Sequence, residues 1–503
     1  MARKFYPTLN ASLGNFQRSS EQFRTAAEVL EYANFFAKGY VICHGDFEAR
    51  GTESWASVSL GAGYTLHVSP ETDYVLIGAN EQQGDAAVLI IGHAFCSDID
   101  TRSSESTAQY LYALLKRESD FTSFEKTLID CSGRFVAIVL KDNELRAYTD
   151  PMASKSCFWG GTGNRIVLAS HTALIADYLG DTDSSQTSWI MHHKGYVSPG
   201  GKSLPALITP HDCAKEVFAN CYLSIVDDKV SHRRFFPNIP LTELSVDDAL
   251  DRYVEECRFN VKSWLDQADY GYLALTAGQD SQSMLKCSLD LFQNSSCNIT
   301  ATTYHFFDRA IESTANDLIG ANKVALKAGF PHQIVAVQQI SSSQSAMAAL
   351  YNTTFPTWAR FPSLTASFYE QLAANSLLFW GLGGEIGTVF YQERSQEISP
   401  AVLAKKYAYS DVSSDPKLIK MFEEYIDYTQ LGSDSWLNYD PYDLFYWEHR
   451  MTKWASAGYS EYDLSATVAL PLNSRKIFRA MLSLGFEDRK NKTLYAELAR
   501  RSF

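Results

Sequence analysis

A short run of small and hydroxyl-bearing residues has the composition of a phosphate-binding loop. The apolar run at 272–275 predicts a strand before it, and the pattern at 281–292 predicts a helix after it. A turn of this kind points backbone N–H groups at an anion, and the start of the helix adds partial positive charge. The sequence therefore predicts a nucleotide-binding loop formed by Leu275, Thr276, Ala277, Gly278, Gln279, Asp280 and Ser281.

Asp280 is the acidic residue of this loop. A carboxylate would repel a phosphate unless a divalent cation lay between them, so Asp280 is predicted to be a Mg²⁺ ligand. Thr276 and Ser281 supply hydroxyl donors beside it. The alternative is that Asp280 or Ser281 only caps the following helix, without any ligand.

The elements around the loop alternate between helices and strands. Ser245-x-x-Asp248 predicts the start of a helix whose apolar residues follow helical spacing. A strand is expected at 298–306 and a further helix at 317–329. This alternation predicts a parallel sheet that carries the nucleotide loop at the end of one of its strands.

The first half of the chain has a β-rich pattern instead. A Pro-rich segment, 236–240, separates the two patterns and predicts domains at 1–238 and 239–503, as a chain of this length favours. The short apolar runs of the first half are bounded by Gly, Asn and Asp. They predict strands at 87–92, 133–140, 145–148 and 165–169, a hairpin turn at 160–164, and helices at 21–37 and 106–117.

Composition excludes several classes of function. The net charge of −14 argues against a nucleic-acid or anionic-membrane partner. No apolar run is long enough to span a membrane, and the first residues lack the apolar core of a signal peptide. The nine cysteines are scattered without a Cys-x-x-Cys pair, which is typical of reduced thiols in a cytoplasmic protein.

The loop resembles the Ser-Gly-Gly-x-Asp-Ser loop of the N-type ATP pyrophosphatases, with Thr276 for the serine and Ala277 for the first glycine. Further segments resemble the asparagine synthetase branch of that superfamily, in the family's order. They are a helix with Asp317 and small residues, the turn Gly381-Leu-Gly-Gly-Glu385-Ile-Gly387, the stretch Pro471-Leu-Asn-Ser-Arg475, and a lysine before the last helix.

The first half resembles the glutaminase-like domain of the same family. The matching segments are 132–139, 149–155, 168–170, 208–211 and 233–236. The family's glutaminases need cysteine as the first mature residue, and residue 2 here is Ala2. The chain thus resembles the members that lost this cysteine: β-lactam synthetase, carbapenam synthetase and lasso peptide cyclase. The resemblance implies an α/β protein with an Ntn-type β-rich sandwich domain, followed by a parallel-sheet adenine-nucleotide domain.

The resemblance also implies an activity. These relatives use ATP and Mg²⁺ to activate a carboxylate as an acyl-adenylate, release pyrophosphate, and let an amine attack. It implies that Glu385 joins Asp280 as a Mg²⁺ ligand and that Gly383 joins the loop at the nucleotide. The expected substrates are a carboxylate and an amine on a small molecule or peptide, in the biosynthesis of a specialised metabolite. A partner protein or a homo-oligomer is an open alternative.

Two roles stay open at this stage. Lys492 is expected to stabilise the adenylate, with Lys490 close enough to be the true equivalent. Leu382 stands where the β-lactam-forming relatives have a tyrosine of the base dyad, which argues against a bicyclic β-lactam product. Glu448 and Tyr442 are candidate replacements for that base. The alternative function is a catalytically weakened homologue that binds nucleotide and acts as a scaffold or regulator.

Overall fold

A computed structural model describes most of the chain. The described residues are 35–79, 86–194, 196, 203–308, 311–337, 350–351, 353–355, 362–392, 398–408 and 411–501. Ala2 and most of the predicted helix 21–37 lie outside them, and residues 35–37 form a turn. No helix in the described part is long and apolar enough to cross a membrane.

Two six-stranded antiparallel sheets form the first half, and their facing apolar side chains share one core. The first has the order β10-β8-β9-β1-β3-β2 and the second β12-β11-β7-β6-β5-β4. The strands are β1 Tyr40–His44, β2 Ala56–Gly61, β3 Tyr64–Val68, β4 Tyr74–Ile77, β5 Ala86–Cys96, β6 Cys131–Lys141, β7 Glu144–Thr149, β8 Phe158–Gly160, β9 Val167–Ala169, β10 Ala214–Glu216, β11 Cys221–Val226 and β12 Lys229–Arg234.

The strands and the hairpin predicted for this half are confirmed, although their bounds shift by a few residues. The predicted hairpin turn lies between the antiparallel strands β8 and β9. The predicted helix 106–117 begins two residues earlier, where the Ser103 side chain accepts a hydrogen bond from the N–H of Ser106. The helices of this half are α1 Ser104–Arg117, α2 Thr122–Ile129, α3 Thr172–Leu179 and α4 Ser185–His192.

A five-stranded parallel sheet in the order β15-β14-β13-β16-β17 forms the centre of the second half. This confirms the predicted mixed α/β fold. The strands are β13 Tyr270–Ala274, β14 Asn298–His305, β15 His332–Ala336, β16 Leu377–Phe379 and β17 Thr467–Ala469. The helices are α5 Val246–Leu265, α6 Gln279–Gln293, α7 Glu312–Ala328, α8 Pro362–Gln371, α9 Pro400–Tyr407, α10 Pro416–Thr429, α11 Pro441–Phe445, a π-helix Tyr446–Ala455, α12 Ser456–Tyr462, α13 Arg475–Leu482, α14 Phe486–Lys490 and α15 Thr493–Arg501.

The predicted helix starts and ends follow local capping chemistry. The Ser245 side chain accepts the N–H of Asp248 at the start of α5, as the sequence predicts. The helix predicted at 317–329 is α7, which begins earlier at Glu312 and ends where Gly329 adopts a left-handed φ of 77°. The strand predicted before the phosphate loop is confirmed as β13, and the helix predicted after it is confirmed as α6. The predicted loop therefore lies at the connection between these two elements.

The two halves are held together by buried ion pairs. Arg134 of β6 makes a two-pronged contact with Asp463, at 2.5 and 2.8 Å. Arg234 of β12 contacts Glu448 in the same way, at 2.5 and 2.8 Å. Burial opposes the charge of Asp463, but Arg134 and then Lys155 hold the pKa of its carboxyl below the usual value. The division at 236–240 into two domains stays a prediction.

Candidate functional site

A cleft of about 740 Å³ lies at the carboxyl ends of β13, β14 and β16. This is the edge at which open parallel sheets bind ligands. All seven residues of the predicted loop line the cleft. It is lined by Ala274, Leu275, Thr276, Ala277, Gly278, Gln279, Asp280, Ser281, Thr302, Thr303, Tyr304, Phe368, Trp380, Gly381, Leu382, Glu385, Thr388, Phe390 and Lys492.

The loop is shaped by hydrogen bonds of its own hydroxyl groups. The N–H of Gly278 donates to Thr276 Oγ1 at 2.9 Å, and the N–H of Thr276 donates to Ser281 Oγ at 3.3 Å. Gly278 precedes the first residue of α6, and no side chain among the described residues caps that helix. The alternative that Asp280 or Ser281 serves as the helix cap is therefore wrong for this geometry, and the helix start faces the cleft.

Helix α7 supports the loop from the side. Asp317 accepts the N–H of Ala277 at 2.9 Å, which gives the predicted acidic residue of α7 a definite place. A Cβ atom at Gly320 would lie 3.0 Å from the Ala277 Cβ, so the extra methyl of Ala277 faces a residue without a side chain. The alanine is thus accommodated against α7.

The glycine-rich turn 381–387 packs directly onto the loop. A Cβ at Gly381 would come within 2.6 Å of the Ser281 backbone, and one at Gly384 within 2.5 Å of Asp280 Oδ1. These positions need glycine because backbone approaches backbone and carboxylate. Gly383 has a φ of 121° and lies against Phe478, and it is not among the residues that line the cleft. Its geometry is that of a turn residue.

Two carboxylates, Asp280 and Glu385, meet in the cleft. The Glu385 backbone N–H donates to the Asp280 carboxylate, and burial, followed by the nearby Glu385 charge, raises the pKa of Asp280 to about 7. Each carboxylate also accepts a tyrosine hydroxyl. Tyr495 Oη donates to Asp280 Oδ1 at 3.4 Å, and Tyr446 Oη donates to Glu385 Oε2.

This carboxylate pair fits a magnesium ion. Mg²⁺ in nucleotide sites takes one or two carboxylates and completes its shell with phosphate oxygens and water. A cation between Asp280 and Glu385 would remove the repulsion that raises the pKa of Asp280. No group of three or more His, Cys, Asp or Glu side chains gathers as a metal site within the described residues. The pair therefore fits a metal that arrives with a nucleotide.

The two candidate lysines lie in different places. Lys492 lines the cleft and adopts a left-handed φ of 56° immediately before α15. Lys490 is an exposed residue at the end of α14 and is not among those lining the cleft. The geometry favours Lys492 as the lysine that reaches a ligand.

The candidate bases Glu448 and Tyr442 do not reach the cleft. Glu448 is fully buried, and its carboxylate is engaged by Arg234 and by Asn220 Nδ2 at 3.1 Å. Of the two candidates left open by the sequence, Glu448 is therefore not a replacement for the missing base, because its carboxylate pairs with Arg234 of the other half of the chain. Tyr442 is buried and is not among the lining residues, whereas Leu382 is among them.

Sequence reasoning missed Tyr446, Tyr495 and the aromatic wall of the cleft. Phe368, Trp380 and Phe390 line it, and Tyr446 belongs to a π-helix, a local distortion that is frequent at functional sites. The spacing along the chain gives no signal for the tyrosines, because each reaches a carboxylate far away in sequence. They become recognisable only when the elements are assembled.

Comparisons with known proteins leave the family open. No family model matches the chain, and no curated protein is similar to it. A solved structure of glutamine phosphoribosylpyrophosphate amidotransferase from B. subtilis, complexed with ADP and GMP, aligns with 79% of this chain and 75% of its own, at 13% identity and a TM-score of 0.25. A second solved structure, of the allosteric regulatory enzyme of purine biosynthesis, aligns with 66% of this chain and 64% of its own, at 14% identity and the same TM-score of 0.25. Similarity this low assigns neither family nor function.

Proposed function

We propose that this chain is an ATP-dependent ligase that forms an amide by way of an acyl-adenylate, and that it is related to the asparagine synthetases. The observation that carries the proposal is the convergence of the loop 276–281, the carboxylates of Asp280 and Glu385, and Lys492 on one cleft. Adenylate formation requires hydrogen-bond donors that bind phosphate, carboxylates that bind a metal ion, and a positive charge near the phosphates. The loop, the pair Asp280 and Glu385, and Lys492 are proposed to supply them. The amide product belongs to a small molecule or peptide.

In the proposed reaction a substrate carboxylate oxygen attacks the α-phosphorus of ATP, and the bond to pyrophosphate breaks. Backbone N–H groups at the start of α6 hold the pyrophosphate as it leaves. A Mg²⁺ ion bound by Asp280 and Glu385 would neutralise phosphate charge. Lys492 then stabilises the adenylate while an amine attacks the acyl carbon and releases a proton to solvent, and AMP leaves with the electron pair of the acyl–oxygen bond.

The burial of the cysteines supports a reaction in which the amine is not produced by glutamine hydrolysis on this chain. All nine are free, and eight are buried. Cys213 is half-buried, and burial, followed by the Asp181 charge, raises the pKa of its thiol to about 11. Burial likewise raises the thiol pKa of Cys43, Cys157, Cys221 and Cys297, which is opposite to the shift that activates a cysteine nucleophile. In the proposed reaction, the second substrate is therefore a free amine.

The test of this function is carboxylate-dependent exchange of labelled pyrophosphate into ATP, over a panel of acids and peptides. We expect exchange with at least one acid, and AMP plus pyrophosphate as products when an amine is added. ADP and phosphate as products would rule out the adenylate. Tight ATP binding without exchange for any acid would favour the alternative, a nucleotide-binding scaffold or regulator without turnover.

Tyr446→Phe is expected to raise the Mg²⁺ concentration needed for half-maximal exchange by about tenfold, because it removes the hydroxyl that orients Glu385. Burial, followed by the Glu385 charge, raises the pKa of Tyr446 well above its usual value, so the hydroxyl stays a donor at neutral pH. A Mg²⁺ titration at saturating ATP measures the change. Tyr425→Phe is the matched control, because it removes a buried hydroxyl that does not line the cleft.

A further inference from the structure

A second cavity, of about 530 Å³, lies at the junction of the two halves. Its walls come from the turn after β5, from the segment that connects the halves, and from α5 and α13. On α13, Phe478 and Met481 pack against the glycine-rich turn 381–387, whereas Lys476 and Arg479 line this cavity. Among the described residues, none lines both the cavity and the cleft. The cavity is therefore a separate site, with a volume typical of small-molecule sites.

Most of the charged side chains in this cavity are neutralised within the fold. Lys476 contacts Asp98 at 2.6 Å and Glu256 at 3.5 Å. Arg479 contacts Asp130, which belongs to the first half of the chain. These ion pairs join α13 to the first half and to α5, so their charges are already compensated without a ligand.

Arg252 and Glu255 are charged and lack such partners. Both are exposed residues of α5 that line the cavity, and neither forms an ion pair or a hydrogen bond with a side chain in the described part of the chain, including each other. Side chains three residues apart on a helix are neighbours, with about 5–6 Å between their Cβ atoms. Their charged ends can therefore meet a carboxylate and an ammonium that are carried by the same carbon atom.

Another part of the cavity is apolar. Leu241 and Leu244 are half-buried, and Tyr439 is almost completely buried. Ile239, in the segment that connects the halves, keeps 51% of its surface exposed. An apolar group bound against these side chains would remove their remaining surface from water, which is favourable. The cavity thus offers an apolar wall together with one unpaired cation and one unpaired carboxylate.

We propose that this cavity binds an α-amino acid with a large apolar side chain. Its carboxylate lies against Arg252, its ammonium against Glu255, and its side chain against Ile239, Leu241 and Leu244. A ligand without net charge suits a lining in which three basic and three acidic side chains balance. Binding at this site goes beyond the proposed ligase function and requires neither ATP nor Mg²⁺.

Isothermal titration calorimetry of the full-length protein, without ATP or Mg²⁺, measures Kd for leucine, phenylalanine and tryptophan. Glycine is the matched ligand without a side chain. Each amino acid is compared with its amide, which lacks the carboxylate, and with its N-acetyl derivative, which lacks the ammonium. The variants are Arg252→Gln and Glu255→Gln. Lys262→Gln is the control, because it removes a charge from an exposed residue of α5 that does not line the cavity.

For the wild-type protein we expect at least one of the three amino acids to bind about tenfold or more tightly than glycine, than its own amide and than its N-acetyl derivative. Arg252→Gln should bring the ratio of Kd values between amide and amino acid close to one, and should keep the preference over the N-acetyl derivative. Glu255→Gln should do the reverse. Lys262→Gln should bind as wild type.

Failure of all three amino acids to bind the wild-type protein would overturn the proposal. Binding with the same ratios in both variants as in the wild type would also overturn it, because the ligand would then lie elsewhere, for example in the cleft. Both variants replace exposed side chains, so their melting temperatures should stay close to that of the wild type. Amino-acid binding of the expected pattern in a protein without pyrophosphate exchange would support this site and count against adenylation alone.

Discussion

Replacing Asp280 with asparagine is expected to lower carboxylate-dependent pyrophosphate exchange by about a thousandfold. The amide keeps the shape of the side chain and loses the negative charge that a Mg²⁺ ion needs. The backbone N–H of Glu385 and the hydroxyl of Tyr495 can still donate to the amide oxygen, so the local structure should survive. Exchange at saturating ATP and Mg²⁺, measured for the variant and the wild type, gives the loss.

The same substitution should leave the melting temperature unchanged or higher when Mg²⁺ is absent. Because the folded pKa of Asp280 is raised to about 7, the folded state favours the protonated form. The wild type therefore loses stability as the pH rises from the ordinary carboxyl range near pH 4 to about 7. Asparagine does not titrate, so that part of the pH dependence should vanish in EDTA. An active Asn variant would refute the metal role of Asp280.

The loop could be predicted from the sequence because its information is local. A strand, a hydroxyl-bearing turn and a helix are consecutive in the chain, and the hydrogen bonds of Thr276 and Ser281 close within six residues. The parallel sheet was predictable for a similar reason, since helices and strands alternate regularly between 245 and 329. The ends of several helices and strands differ from the prediction by a few residues, because capping and strand pairing decide where an element begins and ends. Helix α7, for example, begins at Glu312, before the predicted start at 317.

The rest of the site depends on contacts that cross the chain. Tyr446 meets Glu385 across 61 positions and Tyr495 meets Asp280 across 215, so neither pair leaves a periodic signal. The case of Glu448 shows the opposite error. Glu448 was one of two candidate bases that no spacing selected, and in the structure Arg234 from the other half of the chain pairs with its carboxylate. Candidate acids and bases cannot be separated from structural ion pairs before the halves are assembled.

Asp150 lies at the junction between the two halves, in a segment that resembles the glutaminase-like family. It is fully buried on a turn after β7. Its Oδ1 accepts the N–H groups of Met152 and Ser154 at 3.1 and 2.9 Å, and Asn473 Nδ2 at 2.7 Å. Asn473 belongs to the other segment of family resemblance, 471–475, so two motifs from opposite halves meet in one hydrogen bond.

The second oxygen of Asp150 is equally engaged. Oδ2 accepts the N–H groups of Phe135 and Lys155 at 3.3 and 2.9 Å and the Ser154 hydroxyl at 2.9 Å. Arg475, at the end of the segment 471–475, is also fully buried and donates from Nε to Asn220 at 3.0 Å. In this chain both segments therefore organise the junction, away from the cleft.

Asp150→Ala is expected to destabilise the folded protein by about 5 kcal/mol or more, because each buried donor left without an acceptor costs about 1–3 kcal/mol. Asp150→Asn should be nearly as harmful, since its amide must turn an N–H₂ group toward three donors on one side or the other. Urea midpoints of the purified variants measure the loss. Asp46→Ala, at an exposed residue of the same half, should stay within about 0.5 kcal/mol of wild type.

Asn473→Ala tests the same junction from the second half. It removes the donor to Asp150, to the Gly133 carbonyl and to the Ser154 hydroxyl, so we expect a smaller loss of about 2–3 kcal/mol. Because either single variant already removes the Asp150–Asn473 hydrogen bond, the double variant should be less destabilised than the sum of the two. The Asn473→Ala protein that remains folded should keep the wild-type KM values in the pyrophosphate exchange assay. A variant of normal stability with a raised KM for ATP would instead place this segment in the nucleotide site, and would contradict its assignment to the junction.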